Sequence, residues 1–370
     1  MTEFVDPAVA VEDNGASRQY LQGVADGLLS LERLRGRIVQ LLEVHEPDAG
    51  WLERLQRALD DLLAVGDAQP DLALYYLVNE KVNHTQHYSA VHSMCCALVV
   101  TLAAKWLEWP ADEVRAIAGA ALTMNLGMGS LQDLLARQTH PPSVAQREVI
   151  RHHAERSAQI LQDAGVDDPL WLQAVRAHHT EHEAGDPEAL EPAVRAAELL
   201  RRVDVYAARL SSRKTRPALT AAMAARGALL GPSDQPDALG ATLLRVLGLY
   251  PPGVYVELAD GAIAVVIERG ERAHTPLVVS LRRADGHVLL TPQARDTVLR
   301  QFAVRRGIDA TQAQVRPGHL AILKARLQLG VPAAAAARMP ADDGETLLDD
   351  GGGDSPATGA GAQPQAEPAA

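Results

Sequence analysis

Along the first part of the chain apolar residues recur every three or four positions, the spacing that lines one face of an α-helix. Leu21, Val24, Leu28, Leu31, Leu34, Ile38 and Leu41 form one such stripe and predict a long amphipathic helix over residues 18–44. The segment EPDAG punctuates it, and Leu52, Leu55, Leu59, Leu62 and Leu63 predict a second helix over 51–65. A third is expected over 71–82. Residues 83–107 become apolar nearly all round in their second half, the pattern of a buried helix. Trp109-Pro110 reads as a stop and restart, with a helix from 112 to 124. Gly127 and Gly129 break it, Pro141-Pro142 turns the chain, and 143–161 is again helical. Asp167-Asp168-Pro169 marks a junction before a short helix that ends at the adjacent pair His178-His179.

Beyond the polar loop EHEAGDPEALEP the helical spacing returns over 195–210 and 218–249. The period then changes. VYVEL, AIAVVIE, LVVSL and HVLL, split by DG, RG and DG, predict a small antiparallel sheet. Residues 294–330 are expected to hold one or two further helices. The expected division is a disordered 1–17, a helical region over 18–82, a main helical domain over 83–250, a β appendage over 251–291, helices over 292–332 and a disordered tail over 333–370. The tail is rich in Ala, Gly, Pro and Asp and cannot bury enough apolar surface to offset its chain entropy. The fold class is mostly α.

Composition narrows the chemistry. A chain of 370 residues that is 47% hydrophobic can bury a sizeable core. A net charge of −12 argues against a dedicated DNA binder, because a phosphate backbone attracts basic surfaces. It leaves room for a small anion in a local basic pocket. The two cysteines, Cys95 and Cys96, sit in an apolar run and suit a reducing compartment. The N-terminus lacks a charged-then-apolar signal pattern, and no run reaches about 18 uninterrupted apolar residues. The expectation is a cytoplasmic protein without a membrane span.

The segment RAAELLRRVDVYAARLSSRKTR, residues 195–216, carries Asp204 on an inward-facing helical run and leads into Ser211, Arg213 and Arg216. A carboxylate on a helix can hold a metal, and arginines can grip a phosphate. A buried Asp paired with a neighbouring Arg is the plainer alternative. His92, His152, His153, His178 and His179 supply imidazoles, which are good metal ligands when neutral.

From about residue 83 to 276 the order of motifs resembles the HD-GYP family of bacterial cyclic di-GMP phosphodiesterases, a branch of the HD metal-dependent phosphohydrolases. HYSAVHSMCCALV is similar to its tyrosine-threonine-x-x-His-Ser opening, which puts His92 on the first metal-binding histidine. HAERSAQIL, starting at His153, resembles the His-x-x-x-x-x-x-Ile-Leu helix. AHHTEHEAGDP resembles the His-His-Glu segment leading to Gly-Tyr-Pro, with His178 and His179 on the paired histidines. VDVYAARLSSRKTR resembles the aspartate–valine–tyrosine helix and its serine-arginine exit, and LGLYPPGVYVELADGAIAVV the closing β appendage.

The departures are specific. Met124 and Asn125 stand where the resemblance expects the name-giving His-Asp pair, and Met128 where it expects lysine. Thr180 replaces the glutamate and Asp186 the tyrosine; a gapless register would instead put the paired histidines on Ala177 and His178. The resemblance implies that the missing Asp bridges two metals and the missing His completes the first. Methionine is a poor ligand for iron, manganese or magnesium, and Asn carries no charge to neutralise two cations. His92, His153, His178, His179 and Asp204 remain as metal candidates, for one divalent ion (Fe, Mn or Zn) or none. Ser211, Arg213 and Arg216 match the family's phosphate-holding residues, and Arg147 and Arg151 add positive charge. The resemblance thus implies a catalytically impaired signalling protein that binds cyclic di-GMP, a related nucleotide or a signalling protein partner. The alternatives are an active metal-dependent phosphohydrolase, or an interaction protein whose working surface is the Leu21–Leu41 stripe; a homodimer through the N-terminal helices is a further expectation.

Overall fold

The structure is a computed structural model and describes residues 15–44, 46–180, 190–211, 220–229, 237–315 and 318–330. Three helices lead: α1 (Gly15–Leu42), α2 (Trp51–Ala68) and α3 (Pro70–Asn83). There follow α4 (Tyr88–Trp106), α5 (Ala111–Thr123), α6 (Gly129–Arg137), α7 (Val144–Asp163), α8 (Pro169–Ala177), α9 (Pro192–Leu210), α10 (Ala221–Leu229) and α11 (Ala238–Leu247). A sheet is formed by β1 (Tyr255–Leu258), β2 (Ile263–Glu268), β3 (Leu277–Arg282), β4 (Val288–Asp296) and β5 (Val304–Ile308), and α12 (Ala310–Ala313) and α13 (His319–Lys324) come last. The fold is mostly α with a small antiparallel sheet near its C-terminal end, as the hydrophobic periodicity predicts.

Helix boundaries follow local chemistry. Ser143 caps α7 with a reciprocal capping box to Gln146, and Asp168 caps α8 ahead of Pro169 at its first turn. Glu108, at φ 55°, separates α4 from α5. Helix α4 is the central one. Its length and composition would let it cross a bilayer, yet 83% of that span is buried inside the fold. It packs against α3, α5, α9 and α11. Cys95 and Cys96 are buried, unbridged members of this core.

Two expectations change. The stripe on α1 is satisfied within the chain: Val24, Leu28, Leu31, Leu34, Ile38 and Leu41 are all buried in the common core. The stripe is therefore part of the core and not itself a working surface. The sheet is also larger than expected. Its order is β4-β3-β2-β1-β5, all antiparallel, and β4 and β5 use residues of the stretch read as helical from 294. Strand β5 (VRRGI) hides its period behind two arginines that cross to β1, where Arg305 and Arg306 both pair with Glu257. Cross-strand pairing, rather than local pattern, makes it a strand. The expected disordered 1–17 is helical from Gly15; residues 1–14 and the tail from 331 lie outside the described residues.

Candidate metal centre

Four helices deliver the candidate ligands: α4 carries His92, α7 carries His153, α8 leads directly into His178-His179, and α9 carries Asp204. All except His179 are buried; His179 stands at the solvent-exposed rim. They fall into two groups of converging ligand atoms, His153–His178–His179 and His92–Cys96–Asp204.

In the first group the helix backbone sets the tautomers. His153 Nδ1 lies 2.6 Å from the carbonyl of Ile150, and His178 Nδ1 lies 2.7 Å from that of Val175. A carbonyl only accepts, so each Nδ1 carries the proton and each Nε2 presents a lone pair. Those Nε2 atoms are 3.3 Å apart, and His179 Nε2 is also 3.3 Å from His153 Nε2. Two acceptors facing each other at this distance repel unless a cation lies between them. A proton is a poor candidate: burial pushes the His153 imidazole down to about 4 and the His178 imidazole to about 3. Burial, with Arg201 nearby, lowers His179 too, against the pull of Asp204. Three neutral imidazoles with convergent Nε2 lone pairs, two anchored through Nδ1 to carbonyls, form a donor set that fits one divalent metal.

The second group is already closed among its own side chains. His92 Nε2 is 2.7 Å from Asp204 Oδ1, and His92 Nδ1 is 2.7 Å from Lys81 Nζ. Cys96 Sγ lies 3.6 Å from His92 Nε2. Tyr88 stacks on His92 with the rings 10° from parallel, and Lys81 Nζ sits 4.4 Å from the centre of the Tyr88 ring. Burial opposes the Asp204 charge, but the hydrogen bond from His92 holds its carboxyl well below the usual range. Burial pushes the Cys96 thiol well above its ordinary value, and the Asp204 charge adds to this, so the group offers a thiol rather than a thiolate. Among the described residues no arginine pairs with Asp204: Arg201 and Arg202 both turn to Glu198, and Arg202 also reaches Asp237.

Met124 and Asn125 are buried at the corner between α5 and the 3-10 turn Leu126–Met128. Gly127 presses this corner onto α7; its N–H donates to Ser157 Oγ at 2.9 Å, and Ser157 Oγ donates to the His153 carbonyl at 2.7 Å. The corner that holds Met124 and Asn125 is thus tied to the backbone of a candidate ligand histidine.

Other expected residues stand apart. His152 is on the exposed side of α7, 2.9 Å from Glu148, which also pairs with Arg151. Arg147 bonds to the Pro142 carbonyl. Ser211 is buried at the end of α9, its Oγ without a hydrogen-bond partner among the described residues. It lies seven residues past Asp204, roughly 10 Å along the helix. Arg213, Arg216 and Asp186 are outside the described residues, and Thr180 is exposed. A cleft of about 480 Å³ on the sheet, lined by Asp260, Ser280, Arg283 and Arg295, and one of about 650 Å³ along α1 and α2 contain no histidine. Lys81 and Cys96 are the members that sequence reasoning missed. Cys96 sits at i+4 from His92, one helical turn on, and could have been found; Lys81 belongs to a different helix.

One comparison finds a relative. Cyclic di-GMP phosphodiesterase PA4108 of Pseudomonas aeruginosa is 28% identical over 230 residues. The match covers 60% of this chain and 55% of that protein, so the chain spans about half the length of the relative it matches. No family model matches the chain. No solved structure matches it.

Proposed function

We propose that this chain is an HD-GYP-like signalling protein that holds one divalent cation on His153, His178 and His179 and binds cyclic di-GMP or a related nucleotide with little or no turnover. The observation that carries this reading is the convergence of three neutral Nε2 atoms beside a corner occupied by Met124 and Asn125. The similarity to a cyclic di-GMP phosphodiesterase supports the ligand class. Imidazole donors suit zinc or iron. When bound, the cation supplies Lewis acidity and acidifies water. His153 and His178 would hold it through Nε2, oriented by their Nδ1–H bonds to the helix backbone, with His179 closing the set from the rim. Asn125 cannot supply the charge of a bridging carboxylate, and Met124 cannot serve as a hard-metal ligand. By analogy with the loss of one oxyanion donor, the cost to turnover is at least about 10²–10³-fold. Ser211 and the arginines of the following segment would hold phosphate.

The test is metal content of freshly purified protein together with binding and hydrolysis of cyclic di-GMP in added Mn²⁺ or Fe²⁺. One metal per chain, measurable binding and negligible hydrolysis are expected; turnover comparable with intact HD-GYP enzymes overturns the impairment. The second reading, an active phosphohydrolase, is favoured by the retained three-histidine donor set. It requires metal-dependent turnover that is lost in His178→Ala and Asp204→Ala.

A further inference from the structure

The two groups of potential metal ligands differ in their histidines: those of the first present Nε2 lone pairs to one another, whereas both ring nitrogens of His92 in the second have partners. In the second group, contacts of 2.7 Å run in series from Lys81 Nζ to His92 Nδ1 and from His92 Nε2 to Asp204 Oδ1. With Lys81 as an ammonium and Asp204 as a carboxylate, one arrangement of protons satisfies both. An ammonium has donors and no acceptor, so it donates to Nδ1; the imidazole proton then lies on Nε2 and is given to the carboxylate. The reverse tautomer would aim an Nε2 lone pair at a carboxylate oxygen. Lys81 is only 3% exposed, and Asp204 and His92 are buried as well. A buried carboxylate needs a compensating charge, and a buried ammonium needs an anion or an acceptor. Each meets the other's requirement through His92, while the Tyr88 ring faces Lys81.

We propose that Lys81 is a built-in cation: its ammonium takes the electrostatic place of a metal at His92–Cys96–Asp204 and locks His92 in the tautomer that cannot ligate one. Lys81 is thus a positioning residue, and the pocket is a site for one metal and one fixed ammonium. This rests on the one-metal reading above for its first half only; the tautomer of His92 follows from the second group alone.

The experiment loads metal-free protein with Co²⁺ and counts equivalents bound, alongside ¹⁵N imidazole spectra of the metal-free protein. Wild type is expected to bind one Co²⁺ per chain, without a thiolate-to-cobalt charge-transfer band, and to show His92 protonated at Nε2. Lys81→Met removes the charge with a side chain of similar length. It is expected to raise the count from one to two, and Lys81→Met/His92→Ala to return it to one. Two equivalents in wild type, a thiolate band in wild type, a folded Lys81→Met that still binds one, or His92 protonated at Nδ1 would each overturn the proposal. Should Lys81→Met fail to fold, the wild-type tautomer and spectrum decide it. No Co²⁺ on wild type with His92 protonated at Nε2 would sink the three-histidine metal reading and leave the assignment of Lys81 standing.

Discussion

Gly127 shows how much a single missing side chain positions. A Cβ there would stand 2.8 Å from the His153 carbonyl oxygen and 3.0 Å from Arg156 Cβ, closer than side-chain atoms pack. Gly127→Ala must therefore push the Met124–Asn125 corner off α7. Overpacking of this kind costs roughly 1–3 kcal/mol, and it acts on the backbone of a candidate ligand. We expect Gly127→Ala to lower the midpoint of urea unfolding and to weaken Zn²⁺ affinity by at least about tenfold. Unchanged affinity in a destabilised variant would mean that the corner does not position His153. His153, His178 and His179 were legible beforehand because a histidine's chemistry travels with its letter and their order matched a known pattern. Lys81 was not. It sits in α3, eleven residues before His92, and the turn between the two helices is what brings Nζ to Nδ1. A lysine in an apolar helix carries no sign of which neighbour it will meet.

At the level of elements, α3 is the strut between the helices and the sheet. Asn79 donates to the Gly253 carbonyl at 3.1 Å, and Asp71 accepts from Arg269 at 2.6 Å. Gly253 has φ 101°, and a Cβ there would lie 2.7 Å from both the Tyr75 carbonyl oxygen and the Asn79 nitrogen. Only glycine fits both constraints. Gly253→Ala should cost at least about 1–3 kcal/mol from backbone strain alone, read as a shift in the denaturation midpoint. The same helix carries Glu80, which joins Arg35 of α1 to His319 of α13. Burial works against its charge, but the hydrogen bond from His319 and the field of Arg35 outweigh burial and lower its pKa. A carboxyl lowered by folding contributes stability that is fully present above its unfolded value, about 4.3. That contribution is lost as pH falls through the folded value. Stability measured from pH 7 downward should thus fall below about pH 5, and Glu80→Gln should be less stable at pH 7 with a flatter acid limb. An acid limb identical to wild type would assign the loss to other carboxyls. The helices of this framework were legible because their periodicity is long. Strand β5 was not, because five residues with two adjacent arginines show no period until Glu257 lies opposite them.

Across the whole molecule, the candidate centre is also a cross-link. His153 is on α7, His178 caps the C-terminal end of α8, and His92 and Asp204 are on α4 and α9, so the pocket lies where four core helices meet. The mostly α architecture could be read from the chain's pattern. That these four helices converge on one point could be expected only by resemblance, because periodicity says which face is buried and not what it is buried against. The convergence has a thermodynamic consequence. A metal bound to the folded chain and not to the unfolded one stabilises it by RT ln(1 + [metal]/Kd), about 2.7 kcal/mol at a hundred times Kd. For a chain of this size that is roughly a 5 °C rise in the thermal midpoint. Wild-type protein stripped with a chelator should therefore melt several degrees lower than the same protein in Zn²⁺ or Mn²⁺, and re-addition should restore it. His153→Ala and His178→Ala should melt at one temperature with or without metal. His92→Ala discriminates the two halves of the pocket. If only the three-histidine group holds metal, this variant is less stable through loss of the Lys81–Asp204 bridge, yet its midpoint still rises with added metal as in wild type. A His92→Ala variant that no longer responds to metal would place His92 among the ligands and return the pocket to a two-cluster centre.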